Sequence, residues 1–575
     1  MGEALHEVTV RRAAGVLRFA PAVTVTVLLL PIVAGLVGTL LPAFGYLPAI
    51  GGTSFGFDGW RKLVAAPGFA TSVHITLLTG VMASLLSVIF AIAFCAWAWG
   101  RPWTRRVGGW LAPILATPHS AIALGLAFLV APSGWVVRAV SPWLTGWTVP
   151  PDVATVGHPS GIALVLGLLV KEVPYLVLMI VGAMHQVAAT PHLAVARAAG
   201  YARGEAWLKV ILPQIYPQIR LPIYAVIAFS LSVVDVALIL GPTNPPTLAV
   251  LAVRWFTDAD ITFYFQASAA AILLVGLVVV VVGGWIVLER ATIALGRRWI
   301  VRGRRDGAIN AVVAGLAGIG ITLFALAVLA IVGMGLWSFA AQWRFPDALP
   351  QTWSLANWLR RLQGLAEPAQ WTLVVGIAAT MIALALALAC LENESRAQVK
   401  TGSRTLWILY VPLLLPQVAF LFGAQVLLVR LDLDGAVGAV IFAHLIFVLP
   451  YLFLSLADPW RALDPRYART ASSLGASPTR ILLRVKLPLL LRPVLIACAV
   501  AFAVSVGQYL ATLFAGNGRI PTLTTEAVTL AAGADRRVIG AYALMQSVLP
   551  LLFFLAAAAV PALLYANRRG VQGYR

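Results

Sequence analysis

Lys171, Glu172 and Asp235 are charged residues set deep inside long apolar runs, where an ionised group is costly unless it meets another charge, a polar cavity or a backbone group. Two roles are open to them: contact with a polar solute that crosses a membrane, or a structural pairing that includes backbone released by Pro174. Neighbouring residues diverge by about 100° around a helix, so Lys171 and Glu172 do not share a face. Pro450-Tyr451 matches Pro174-Tyr175 later in the chain but has no charge beside it, and His444 and Gln508 are the polar groups there. Catalysis is not indicated, because no nucleophile has a nearby base, no ligand spacing suggests a metal, and no Gly-x-x-x-x-Gly-Lys-Ser/Thr phosphate loop occurs. His74 and His119 read first as packing residues, and Cys95, Cys390 and Cys498 as small buried apolar side chains. Asp258, Asp260, Glu526 and Asp535 are scattered among loops, where solvation or capping accounts for them.

The elements that carry these residues must be membrane helices. A chain that is 61% apolar and 11% charged is no ordinary soluble protein, and its apolar runs reach the roughly 20 residues that cross a bilayer. The spacing predicts twelve spans, at about 19–43, 68–99, 107–131, 160–186, 218–240, 265–288, 309–338, 370–391, 405–429, 434–456, 493–515 and 539–565. The first is too long for a cleaved secretory segment despite Arg11, Arg12 and Arg18 before it. With the N-terminus inside, 29 Lys and Arg fall in the segments 11–18, 101–106, 197–220, 290–305, 396–404, 461–492 and 568–575, and 11 fall in the opposite loops. Cytoplasmic loops collect such charge, so both termini are expected in the cytoplasm. The net charge of +20 is then a property of lipid-facing loops and does not call for nucleic acid. Tryptophans such as Trp135, Trp143 and Trp353 fit interfacial anchors.

The chain also repeats itself. Gly200 and Gly475 are each followed thirteen residues later by the proline of Val-x-Leu-Pro, ending at Pro213 and Pro488, and the copies lie 475 − 200 = 275 residues apart. The same offset relates Gly241 to Gly516, Pro246-Thr-Leu to Pro521-Thr-Leu, and Ala259-Asp260 to Ala534-Asp535. Register held over this length indicates two homologous halves, 1–295 and 296–575, joined by the segment from Arg290 to Asn310. Within each repeated loop, Thr190-Pro191 and Asp464-Pro465 read as an N-cap followed by proline at the first helical position, and the glycine as a left-handed end. A second short helix, opened by Ser477-Pro478 in the later copy, is expected to end at Pro213 or Pro488. Ala196, Ala198 and Ala199, or Ala471, Ser472 and Ser473, are expected to face a close neighbour. The Pro246 and Pro521 segments could re-enter the membrane as an outer gate, since irregular backbone at depth is tolerated where protein shields it or a cavity receives it.

These loops resemble the cytoplasmic loop of permease subunits of binding-protein-dependent ABC importers, which reads Glu-Ala-Ala, three residues, Gly, nine residues, then Ile-x-Leu-Pro. Ala196, Gly200, Leu212 and Pro213 match in the first loop, and Ala471, Gly475, Leu487 and Pro488 in the second. Both loops depart at the acid, where Ala194 and Arg469 stand. Two six-span halves fused head to tail are similar to the iron(III)/thiamine-type permeases, and Leu41-Pro-Ala-Phe-Gly-Tyr46 and Gly241-Pro-Thr-Asn-Pro-Pro-Thr-Leu248 are most similar to the YnjC-like subgroup. The resemblance implies an all-α integral membrane protein of the MetI-like type I importer fold in a bacterial inner membrane. It implies no enzyme activity and no cofactor in this chain. Partners would be two copies of a cytoplasmic ABC ATPase subunit, docked at loops 190–213 and 464–488, and a periplasmic solute-binding protein. The solute would be thiamine-like or iron(III). The rival expectation is an ion-coupled secondary transporter of twelve helices, for which Glu172 and Asp235 are the available intramembrane carboxylates.

Overall fold

The computed structural model describes residues 15–101, 107–303, 305, 307–397, 403–533 and 535–565. Both chain ends, the basic residues Arg11, Arg12, Arg105, Arg106, Arg304, Lys400, Arg568, Arg569 and Arg575, and Ala534 lie outside them. Apolar runs without water to satisfy their backbone form helices, and the principal ones are α1 Ala20–Ala43, α2 Phe69–Ala98, α3 His119–Val130, α4 Ile162–His185, α5 Leu212–Ser232 and α6 Phe263–Val301. The second set is α7 Ile309–Phe339, α8 Ala356–Ala397, α9 Gln417–Arg430, α10 Val437–Ala462, α11 Leu491–Val506 and α12 Arg536–Leu564. Among the described residues nine helices are long and apolar enough to cross a membrane, or up to eleven if each of two bent pairs counts as one; α5 is not among them. The expected boundary at 295/296 falls inside α6, which runs on helically through Val301.

Four expected spans are broken. Residues 107–131 divide into helix Val107–Ala116 and α3, and 405–429 into helix Ser403–Leu414 and α9, the latter pair bent by 89°. Pro118 and Pro416 stand at these bends, each with extended backbone immediately before its helix. Residues 218–240 end as α5 at Ser232, turn through extended Val233, and restart as helix Asp235–Leu240. The hydroxyl of Ser232 donates to Ala228 O at 2.7 Å, a back-bond that bends helices, and the β-branched pair Val233-Val234 follows. Residues 493–515 divide likewise at Gly507, with helix Leu510–Gly516 beyond.

The first helix of each set packs into the other set. α1 lies chiefly along α9, and α7 lies along α2 and α3. Glycine makes both approaches possible, because without a Cβ two backbones come close enough for direct contact. A Cβ on Gly38 would fall 2.8 Å from the carbonyl oxygen of Gly423, whose N–H donates to Thr39 Oγ1 at 3.1 Å. Gly125 of α3 meets the Ala330 carbonyl of α7 with equally little space. On the loop side remote from the repeated loops, buried Arg138 donates to Ser133 O and Arg344 O at 2.8 Å, tying α3's extension to the short hairpin of Ala340–Gln342 with Thr352–Trp353. Replacing Gly423 with Val should lower stability by about 1–3 kcal/mol or more through overpacking. Gly276→Ala, in open space, should leave it unchanged or slightly raised. Thermal unfolding of the purified chain in detergent checks the contrast, and equal midpoints for the two variants would count against the exchange of first helices.

Candidate functional site

The two repeated loops fold alike. Gly200 and Gly475 have φ of +90° and +78°, a left-handed conformation that L side chains rarely adopt. Each is followed by a four-residue helix, Arg203–Ala206 or Pro478–Ile481, and then by a π-helical turn, Trp207–Ile211 or Leu482–Lys486. Every one of these bounds recurs at the offset of 275. In the π-turns Leu212 N–H donates to Trp207 O and Leu487 N–H to Leu482 O, which opens the helix one residue ahead of each proline. Pro213 and Pro488 therefore do not end their helices as expected. The widened turn accommodates the missing N–H, and the chain continues into α5 directly or, through a 78° bend, into α11.

The caps differ between copies. Asp464 Oδ1 accepts from Arg466 N at 2.8 Å and Ser477 Oγ from Arg480 N at 3.4 Å, as expected of N-caps. Thr190 is not a cap: the first helix begins two residues earlier than expected, as Ala189–Ala198, with Ala188 at the cap position and no side-chain cap bond. Ala196 is buried, but Ala198, Ala199, Ser472 and Ser473 face outward, and Ala471 is half-buried. Among the described residues, Ala198, Ala199, Ser472 and Ser473 are thus not covered by a neighbour, contrary to expectation. Helix Pro465–Ser473 has no buried residue, and apolar Val195 and Leu474 are 71% and 82% exposed. The first loop is fastened by Gly204 N–H to Asn310 Oδ1 at 2.9 Å, and the second by Lys486 Nζ to Glu392 Oε2 at 2.7 Å.

The intramembrane polar residues form two clusters at the helix breaks. Lys171, 5% exposed, donates to Ile114 O at 2.7 Å, Leu115 O at 3.1 Å and Thr117 O, so its three protons go to the carbonyls left open where helix Val107–Ala116 ends. Glu172 Oε1 lies 3.3 Å from His119 Nε2, and the His119 ring packs 4.6 Å from that of Phe229. Asp235 opens its short helix directly after the α5 break. His444 is 2% exposed, with Nδ1 2.8 Å from Ser505 Oγ and Nε2 2.8 Å from Thr512 Oγ1. Thr512 also donates to Gln508 O at 2.7 Å, so His444 and Gln508 belong to one cluster at the α11 break. The loop acids act locally: Asp258 accepts from Asp260 N, Asp260 from Thr262 N, and Asp535 from Arg537 N.

Pro246 and Pro521 each precede a short helix, Leu248–Phe256 or Leu523–Leu530, whose first residue is fully buried. Leu248 N–H donates to Thr76 Oγ1 of α2 at 2.8 Å, and Leu523 N–H to Thr372 Oγ1 of α8 at 2.9 Å. Sequence reasoning missed these two threonines. They sit in Thr-Leu-x-x-Gly at 76–80 and 372–376, an offset of 372 − 76 = 296, so a search in the 275 register passes over them.

No protein-family model matches the chain. It is 33% identical over 513 residues to the inner membrane ABC transporter permease protein YnjC of Escherichia coli K12, covering 89% of this chain and 92% of that one. It is 28% identical over 179 residues to the putative 2-aminoethylphosphonate transport system permease protein PhnV of Salmonella typhimurium, 31% of this chain and 67% of that one. It is 34% identical over 156 residues to the molybdenum transport system permease protein ModB of Mycobacterium tuberculosis, 25% of this chain and 58% of that one.

Lys171→Met strips three buried carbonyls of their donor, at about 1–3 kcal/mol for each group left unsatisfied. The expected result is a lower unfolding temperature and less assembled protein, with the half-saturating solute concentration for uptake unchanged in what assembles. A stable variant with strongly altered half-saturation would instead place the ammonium in the solute's path.

Proposed function

The chain belongs to the permeases of ABC transporters, proteins of the inner membrane, and on that premise we propose that it forms the solute pathway of an importer whose ATPase subunits are separate chains. In this proposal twelve spans make two halves that meet near 295/296, both termini are cytoplasmic, and the chain carries no cofactor. Two copies of a cytoplasmic ATPase dock one loop each, and a periplasmic protein delivers the solute. The observation that carries it is the pair of loops, each with a left-handed glycine and a π-turn at the same offset, each presenting an apolar residue, Val195 or Leu474, toward solvent.

A docked motor would push on helices Ala189–Ala198 and Pro465–Ser473. The short helix and π-turn after each glycine lead into α5 or α11, so displacement of a loop moves the helix that carries a mid-membrane break. Alternating access then follows from rocking of the two sets, with the Pro246 and Pro521 segments at the outer end. The solute suggested by the resemblance, thiamine-like or iron(III), is a cation, and the presence of Glu172 and Asp235 near the breaks agrees with that sign. The ion-coupled alternative is not favoured.

Purification in mild detergent from the native membrane should bring down two ATPase subunits per chain, identified by mass spectrometry. Gly200→Ile with Gly475→Ile forces a β-branched residue into left-handed backbone at about 1–2 kcal/mol per site. ATP hydrolysis should then persist while uptake in proteoliposomes falls. Normal uptake in the double variant would sink the coupling role of the loops.

A further inference from the structure

Every helix begins with N–H groups that have no partner inside it, and in a site closed to water each must find one elsewhere. For the helices that follow Pro246 and Pro521, the first such group is met by a threonine on another helix. Thr76 and Thr372 are 1% and 3% exposed, and each hydroxyl hands its own proton to a carbonyl one turn back, Ser72 O or Pro368 O, at 2.7 Å. That donation aims the oxygen lone pairs outward, at Leu248 N–H and Leu523 N–H. The same arrangement occurs in both halves, between corresponding helices, and packing does not require it, since valine has nearly the same shape as threonine.

We propose that Thr76 and Thr372 are matched latches of the outer gate: positioning residues that hold helices Leu248–Phe256 and Leu523–Leu530 against α2 and α8 in the closed state and release them in each transport cycle. The inference rests on the alternating-access reading given above. Each short helix is joined through its half-helix, Asp235–Leu240 or Leu510–Gly516, to α5 or α11, the helices that lead from the coupling loops. A pull on a loop therefore reaches the latched N–H along the chain itself. The bond is directional and single, so a small displacement breaks it without unpacking a large apolar surface.

The two latches are unequal. In the second half Thr524 adds a further tie, donating to Val506 O and accepting from Gln546 Nε2 at 2.6 Å, and Gln546 also reaches Ser120 Oγ of α3 at 2.8 Å. The first half has Ala249 at the position of Thr524 (524 − 275), which can make no such bond. The gate therefore opens first on the Thr76 side.

The test uses the chain with its ATPase subunits in proteoliposomes, with Cys95, Cys390 and Cys498 replaced and a single cysteine at Thr247→Cys, a buried gate position whose native hydroxyl has no partner among the described residues. The readouts are the rate of modification by a membrane-impermeant maleimide from the outer side and the basal ATPase rate. Thr76→Val should raise modification in the absence of ATP by about tenfold, the order expected for one lost buried hydrogen bond, and should raise basal ATPase. Thr372→Val should do so less, and Thr76→Ser should restore the parent values. Unchanged modification and ATPase in both valine variants, with uptake intact, would overturn the latch. If Thr76→Val does not assemble, Thr372→Val carries the test alone: a rise that Thr372→Ser reverses supports the latch, and no change overturns it. A parent chain whose modification at 247 ignores ATP would instead overturn the alternating-access reading itself.

Discussion

Backbone groups buried away from water must be satisfied by the protein, and the arrangement of this chain follows from that constraint. Continuous helices meet it alone. Interruptions need other partners, and several intramembrane polar residues supply them. Lys171 closes the carbonyl end of helix Val107–Ala116, Thr76 and Thr372 close the amide ends of helices Leu248–Phe256 and Leu523–Leu530, and Thr512 takes up Gln508 O at the α11 break. Lys171, Thr76, Thr372 and Thr512 are thus explained by helix ends before any contact with a solute is invoked.

Much of the fold was legible because apolar runs and helix lengths obey the same bilayer thickness. The bounds of α1, α2, α4 and α7 fall within two residues of their expected spans. The left-handed glycines were legible from spacing alone, since Gly before a short helix and a closing proline admits few conformations. The break after Ser232 was not: Val233-Val234 contains neither Gly nor Pro, and hydropathy does not register the Ser232 back-bond that precedes it. The π-turns were hidden for a related reason. A proline ordinarily predicts a helix end, and the sequence does not say that the preceding turn will widen instead. Lys171 was visible as a charge at depth, but its partners are carbonyls 54 to 57 residues away, which have no side-chain signature.

The repeat itself is less regular than its strongest anchors. From α4 onward the halves correspond at 275, but Thr76 corresponds to Thr372 at 296 and Gly125 to Gly423 at 298. The difference lies between α3 and α4, where the first half carries residues 131–161 and the second only 431–436 between α9 and α10. That longer segment holds Arg138, which reaches across to the hairpin of the second half. The two ends of the molecule are therefore unequal in symmetry. The repeated loops after Gly200 and Gly475 match closely, while the opposite face is built differently on its two sides.

The exchange of first helices also fixes an order of assembly during synthesis. Gly35 and Gly38 of α1 find their partner at Gly423, 423 − 35 = 388 residues later. At about 5–20 residues per second that interval is roughly 20–80 s. α7, by contrast, emerges after α2 and α3 are already in the bilayer. The ribosome thus releases α1 long before α9 exists, and the glycine face of α1 has no Gly423 to meet until the ninth helix has been made.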